Sequence, residues 1–382
     1  MAPSKLLDRL VSFEPTPFPV VSLYLNTQPN EKGRDHFDAH VRSELNACAK
    51  NWTMRTPERL SFDRDAERIK DYLRDELRPS ANGVAIFACS GEGDFFEAVQ
   101  LDAPIEESSL FTSYQPHVYS LARLMDYYSP YIALVADTNT ARLYVFGAGE
   151  ELEQRSVVNP NVNRTRIGGW SQARYQRRID NIRTHHAKEV VEELERVARE
   201  ENIDRIVLAG DEVIIPMLRE HFPPGLEARV IDVLRLGIDT PEHEIMHESA
   251  LAARAYDAKK DSEKVARLLD EYLGAGFAVT GARDTLMALT LGQVEEMLLS
   301  ASELDVRDDL VGKDAALIPD FPVKGNGTGA GTSNGRKRSG VIADELVARA
   351  CQTDAEIVFI EDAARLAEYG GVGAKLRYRL QQ

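Results

Sequence analysis

Arg164-Thr-Arg-Ile-Gly-Gly-Trp-Ser-Gln-Ala-Arg-Tyr-Gln-Arg-Arg-Ile-Asp-Asn-Ile-Arg183 is the stretch on which the reading of the whole chain turns. The adjacent Gly168 and Gly169 remove two side chains, so the backbone there can approach a ligand closely. Trp170 follows, and then an arginine-studded helical pattern. From Arg155 to Glu189 there are eight Lys/Arg against two Asp/Glu, a local charge of +6. The chain as a whole carries −16, so everything outside this segment carries −22. A cationic island in an acidic protein is a localised anion site, with phosphate the leading candidate.

Within the island each residue type has a role. Ser171 can cap the helix behind it, whose N-terminal amides favour an anion. Arg164, Arg166, Arg174, Arg177, Arg178, Arg183 and Lys188 extend the positive field. Trp170 can stack on a base, a recurrent grip on single-stranded nucleic acid. The bland alternative is a surface loop ahead of a solvated helix face. Charge, glycine, aromatic and helix start coincide here, which favours a site.

The totals bound the rest. The 382 residues leave room for two or three domains, and 43% hydrophobic with 28% charged residues is a globular composition. The acidic balance, pI ≈ 5.1, argues against non-specific coating of nucleic acid. Cys48, Cys89 and Cys351 are few and far apart, which excludes a disulfide framework and a Cys-x-x-Cys metal site and suits a reducing cytosol. Met1–Asp8 shows no secretory signal, and no run approaches the roughly 18 apolar residues of a membrane span. A cytoplasmic protein is expected.

The apolar pattern predicts an α/β chain. Strands are expected at 20–25, 83–88 and 95–101, with helices at 36–50 and 63–78 and a polar connection at 51–62 between them. A hairpin of Tyr131–Ala136 and Ala141–Phe146 follows, with a third strand near 151–158. The helix from Ser171 to Glu201 keeps Tyr175, Ile179, Ile182, Val190, Leu194 and Val197 on one face. Strands at 203–210 and 227–233 come next. Thr240-Pro241-Glu242 reads as a cap, an N1 proline and an acidic first turn, opening a helix that reaches Leu273. Helices near 284–292 and 341–352 and strands near 294–300 and 355–360 complete the chain. Lys324–Gly340, with six glycines, reads as a mobile loop. Domains are expected at 1–126, 127–273 and 274–382.

One other motif competes for function. His243-Glu244-Ile245-Met246-His247 matches H-E-x-x-H, in which two histidines share a helix face and could bind zinc with Glu244 as base. Pro241 places it in the first turns of its helix, and nothing selects a third ligand, Glu263 and Glu271 being the candidates. Of His185 and His186, only His185 shares the arginine face. No Walker, Rossmann or Gly-x-Ser-x-Gly signature is present. Neither a metal nor a cofactor is expected.

Gly168-Gly169-Trp170-Ser171-Gln172-Ala173-Arg174-Tyr175 resembles the Gly-Gly-Gln-Ser-x-x-Arg-Phe loop and helix of archaeal and eukaryotic class 1 peptide release factors. Asp284–Leu289 with Gly292–Glu295 is similar to the start of their third domain, and Gly370–Leu380 to its last strand. Gly83–Ala88 and a helix at 114–128 fit the first domain in order. The chain resembles a bacterial-type, Vms1-like member of the release factor/Pelota superfamily. The resemblance implies three α/β domains: an N-terminal α/β domain, an RNase H-like central domain bearing the Gly-Gly loop, and a C-terminal ribosomal-protein-like α/β/α domain.

Two departures refine what it implies. Trp170 replaces the family glutamine, and Gln172 stands two positions later. No Asn-Ile-Lys-Ser occurs in 51–62, and Tyr114-Gln-Pro-His-Val-Tyr119 lacks the family cysteine, so stop-codon reading is not expected. The implied function is rescue of stalled ribosomes by hydrolysing or cleaving peptidyl-tRNA. Gly168 and Gly169 would enter the peptidyl-transferase centre, Gln172 would orient a water, and the arginines would meet rRNA and tRNA phosphates. A translational GTPase would contact the C-terminal domain. Two alternatives stay open: a non-catalytic hibernation factor in the ribosomal A site, and a zinc hydrolase built on His243 and His247.

Overall fold

In a computed structural model the residues described are 3–29, 37–91, 93–147, 153–158, 172–310 and 335–378; of these, 153–158, 172–180 and 335–338 are described by backbone alone. The run Val20-Val-Ser-Leu-Tyr-Leu25 forms β1 (Val20–Asn26), apolar almost throughout because its sheet is covered on both faces. With β2 (Gly83–Cys89), β3 (Phe95–Leu101) and β4 (Ser109–Ser113) it builds an antiparallel sheet in the order β3-β2-β1-β4. Val21, Leu23 and Leu25 point to α2 (Phe37–Ala49) and α3 (Pro57–Asp75), whose Val41, Leu45 and Ile69 fill that layer. Tyr24 points the other way, into a layer shared with α1 (Pro3–Val11) and α4 (Tyr119–Tyr127).

That second layer is shared with the C-terminal sheet. β10 (Ala278–Thr280), β11 (Val294–Ser300), β12 (Glu356–Ile360) and β13 (Val372–Leu376) lie in the order β10-β13-β11-β12, with only β11 and β12 parallel. Met297 and Leu299 of β11 join Leu286 and Leu289 of α8 (Ala282–Thr290) and Ile342 and Leu346 of α9 (Gly335–Gln352) in the same core as Tyr24 and Phe87. Alternate residues, Leu298, Val358 and Ile360, meet Leu268 and Leu269 of α7 (Glu242–Leu273) and Leu366 of α10 (Ala364–Ala367). Gly371, at φ +75°, lies directly against the Asp305 carbonyl, leaving no room for a side chain.

A second compact unit holds the described residues of 129–259, the first holding those of 3–128 and 260–378. Its sheet runs β7-β6-β5-β8-β9, from β5 (Tyr131–Ala136), β6 (Thr140–Phe146), β7 (Glu153–Val158), β8 (Ile206–Gly210) and β9 (Val230–Leu234). The first three strands form an antiparallel meander, and β8 and β9 add in parallel, the arrangement expected of an RNase H-like domain. α5 (Gln172–Glu200) and α6 (Ile214–Glu220) cover one face, with Val190, Leu194 and Val197 buried as their spacing predicts. Ile245, Ala252 and Ala253 of α7 cover the other.

Several elements differ from expectation. The 51–62 connection ends early: Thr56 caps α3, accepting from the Arg59 amide at 3.3 Å, and the helix starts at Pro57. The helix expected at 114–128 begins at Tyr119. Residues 335–340, read as loop from their glycine content, are the first turns of α9, and 324–334 lie outside the described residues. α1, β4, α6, β10 and α10 were not among the expected elements.

Candidate nucleic-acid interface

The candidate interface is built on α5. Gly168, Gly169, Trp170, Arg164 and Arg166 lie outside the described residues. Gln172 is the first residue of the helix, so it belongs to the helical N-terminus. Unsatisfied amides and the helix dipole at such an end favour negative charge. Arg174, Arg177 and Arg178 occupy positions i, i+3 and i+4 in its first turns, the spacing that puts residues on one helical face.

Further along, side chains are described. Arg183 is half-buried, and Lys188 is exposed, 3.8 Å from Glu192. His185 is exposed and pairs with Glu189 at 3.2 Å, whereas His186 is fully buried. Burial pushes the His186 imidazole down from its ordinary value, against the opposing pull of Asp137, so the ring is neutral near pH 7. His186 and Ala187 are the first fully buried residues described on the helix, and from Val190 onward its inner face is core.

The outer face changes character at the same point. Arg196 binds Glu193 and Glu200, and Arg199 binds Glu195 at 2.8 Å. The C-terminal half of α5 therefore neutralises its own arginines. In its N-terminal half the sequence places a single acidic residue, Asp180, before Glu189. From Gly168 to Lys188 five Lys/Arg against one Asp supply +4 of the local +6.

The H-E-x-x-H pattern has a different fate. Glu242 opens α7, Ile245 is buried, and His243 and His247 are both exposed. Glu263 lies about 24 Å along the helix from His247 and Glu271 about 36 Å, at 1.5 Å per residue. Neither can be the third ligand of an ion bound there. Among the described residues no three His, Cys, Asp or Glu gather as a metal site. No described helix is long and apolar enough to cross a membrane.

Residues 116–254 match a family model described as bacterial archaeo-eukaryotic release factor family 10. That span includes the glycine pair, all of α5 and the sheet behind it. No curated protein matches. Among solved structures, the chain is similar to an archaeal translation termination factor, aRF1, at 18% identity over 98% of this chain and 97% of that one, with TM-score 0.27. It is similar to Archaeoglobus fulgidus Pelota at 14% identity over 80% and 83%, TM-score 0.32. A ribosome-bound archaeal Pelota, described together with ABCE1, matches at 13% identity over 100% and 95%, TM-score 0.44.

Proposed function

We propose that this chain, a member of the archaeo-eukaryotic release factor and Pelota superfamily, is a ribosome-associated rescue factor that acts on peptidyl-tRNA without reading a stop codon. The observation that carries this reading is the family match across 116–254, which spans the glycine pair and the basic N-terminal half of α5. The arginines at 174, 177 and 178 bind rRNA and tRNA phosphates. Gly168 and Gly169 bring the backbone to the 3′ end of the tRNA.

Gln172 is the residue assigned to chemistry. A carboxamide has no pKa near neutrality and is no base, but it can accept from and donate to one water and aim it at the ester carbonyl. Positioning of that kind supplies several kcal/mol of barrier lowering. A backbone N–H of the glycine segment would stabilise the oxyanion. Stalled ribosome–nascent chain complexes incubated with the protein should release free peptide, and Gln172→Ala should abolish release while leaving binding intact. Absence of release, or release unchanged by Gln172→Ala, would overturn the hydrolytic assignment.

A second reading rests on Trp170, which stands where the family carries its glutamine. An aromatic there suits stacking rather than water activation, and the protein would then occupy the A site of idle ribosomes without chemistry. Binding that survives Gln172→Ala but fails in Arg174→Glu/Arg177→Glu/Arg178→Glu, with no peptide released, selects this version.

A further inference from the structure

The segment Tyr114–Tyr119, notable in sequence only for a missing cysteine, holds a second constellation in the first unit. His117 is 4% exposed and fixed on several sides. Its amide donates to Ser22 Oγ at 3.0 Å, its carbonyl accepts from the Tyr24 hydroxyl at 2.5 Å, and its ring stacks on Phe111 at 3.7 Å. Asp344 of α9 binds the ring at Nδ1, 2.8 Å away, and its other oxygen accepts the Val118 and Tyr119 amides at 2.8 and 2.9 Å. Ser120 Oγ lies 3.1 Å from Nε2.

This pattern fixes roles. A carboxylate at Nδ1 makes that nitrogen the donor, so in the neutral ring Nε2 carries the lone pair and faces the serine hydroxyl. Capping α4 would occupy Asp344 through one oxygen; the other is committed to orienting the imidazole. Ser120 is half-buried rather than enclosed. Glu303 Oε2, buried and without a hydrogen bond among the described residues, lies 4.0 Å from Nε2, where it adds to the stabilisation of an imidazolium. A hydroxyl, a base and an orienting carboxylate in hydrogen-bonded series are recognised by geometry, whatever the fold.

We propose that Ser120 is a nucleophile activated by His117 and Asp344, giving this chain an ester-cleaving site of its own, apart from the chemistry assigned to Gln172. Ser120 Oγ bonds to the carbonyl carbon of a carboxylic ester as its proton passes to Nε2. The alkoxide leaves with the bonding pair and takes that proton, and water repeats the sequence to free the acid and regenerate the hydroxyl. The charged and titratable groups facing the ring are Asp344 from α9, Glu303 from the turn after β11, Tyr24 from β1 and Tyr119 from α4. The carboxylates hold the ring protonated to higher pH than usual, so activation increases as pH rises and His117 loses its proton.

The test uses the full-length protein, a fluorophosphonate ester and peptide mapping by mass spectrometry. Ser120 Oγ bonds to phosphorus as the P–F bond breaks and fluoride leaves with the electron pair. Ser120 should be modified about 100-fold faster than the exposed Ser4, the scale of general-base assistance, and Ser120→Ala should remove the adduct. His117→Gln should slow labelling about 100-fold with the near-UV spectrum retained. The pH profile of the unaltered protein, which needs no variant to fold, should rise tenfold per unit and then level. Labelling of Ser120 no faster than Ser4, or a flat pH profile, overturns the proposal. Neither result bears on peptide release, which is assigned to 164–188.

Discussion

His117 and Asp344 stand 227 residues apart and meet at 2.8 Å, so the carboxylate that starts α4 comes from a helix of the C-terminal sheet. One side chain thereby ties the two sheets of the first unit together through a helix cap and an ion pair. Asp344→Asn keeps the shape but removes the charge from both contacts. Breaking a largely buried, hydrogen-bonded pair should cost about 2–4 kcal/mol, discounted for the partial exposure of Asp344. Urea unfolding measures it, and faster exchange of the Val118 and Tyr119 amides localises it.

The same pair sets a pH dependence. Burial alone would push the His117 imidazole down; the Asp344 carboxylate, by charge and by hydrogen bond, with Glu303 behind it, outweighs burial and leaves the pKa raised. The resulting stability is present in full below the ordinary histidine value of about 6.5 and is lost as pH rises through the raised folded value. Glu303, raised mainly by burial, acts in the same direction from lower pH. The urea midpoint should therefore be higher at pH 6 than at pH 9. Asp344→Asn should flatten that difference, and an unchanged pH dependence in the variant would refute the assignment to this pair.

Helix starts illustrate what sequence alone made legible. Thr56-Pro57-Glu58 and Thr240-Pro241-Glu242 are the same tripeptide, and both precede long helices. The second is announced by a clean pattern. The first lies in a polar segment, Asn51–Phe62, whose composition reads as a connection and hides the cap. Thr56→Ala should cost about 1 kcal/mol in a thermal or urea melt, the usual worth of such a cap.

The central sheet was readable because β5, β6 and β8 are dense apolar runs and its helix carries a continuous 3.6-residue stripe from Val190 to Val197. Short elements were not: β10 has three residues, and its place is fixed by pairing with β13 rather than by its own pattern. The cationic segment was legible from charge alone. The His117 cluster was not, since Ser22, Tyr24, Glu303 and Asp344 come together only through tertiary packing, and no spacing rule joins them. The H-E-x-x-H spacing was present in sequence, and the helix expected to reach Leu273, found as α7, already carries Glu263 and Glu271 far along from His247.

Gly371→Ala tests the family-like terminus. The residue has φ +75° and its missing side chain faces the Asp305 backbone, which cannot swing aside as a flexible side chain would. Left-handed strain and steric clash act together, so the variant should lose about 3 kcal/mol or more, read as a lower melting temperature of the first unit. Gly292→Ala is the control: its φ is also positive, at +66°, but nothing lies within 4 Å of the added carbon, so the cost should be only that of the backbone conformation.

The charge break along α5 yields the sharpest prediction for the proposed interface. Arg196 and Arg199 are held by glutamates of their own helix, so replacing them with alanine removes little positive field available to a phosphate. Arg174, Arg177 and Arg178 lie in the half where acidic residues are scarce. If each of these three neutralises one phosphate, a plot of log binding constant against log salt for ribosomes should lose about 2–3 units of slope when all three become glutamine, at about 0.7–0.9 per contact. Affinity in low salt should fall steeply, while Arg196→Ala/Arg199→Ala changes both quantities little. Equal effects from the two sets, measured by co-sedimentation across a salt series, would remove the N-terminal half of α5 from the interface.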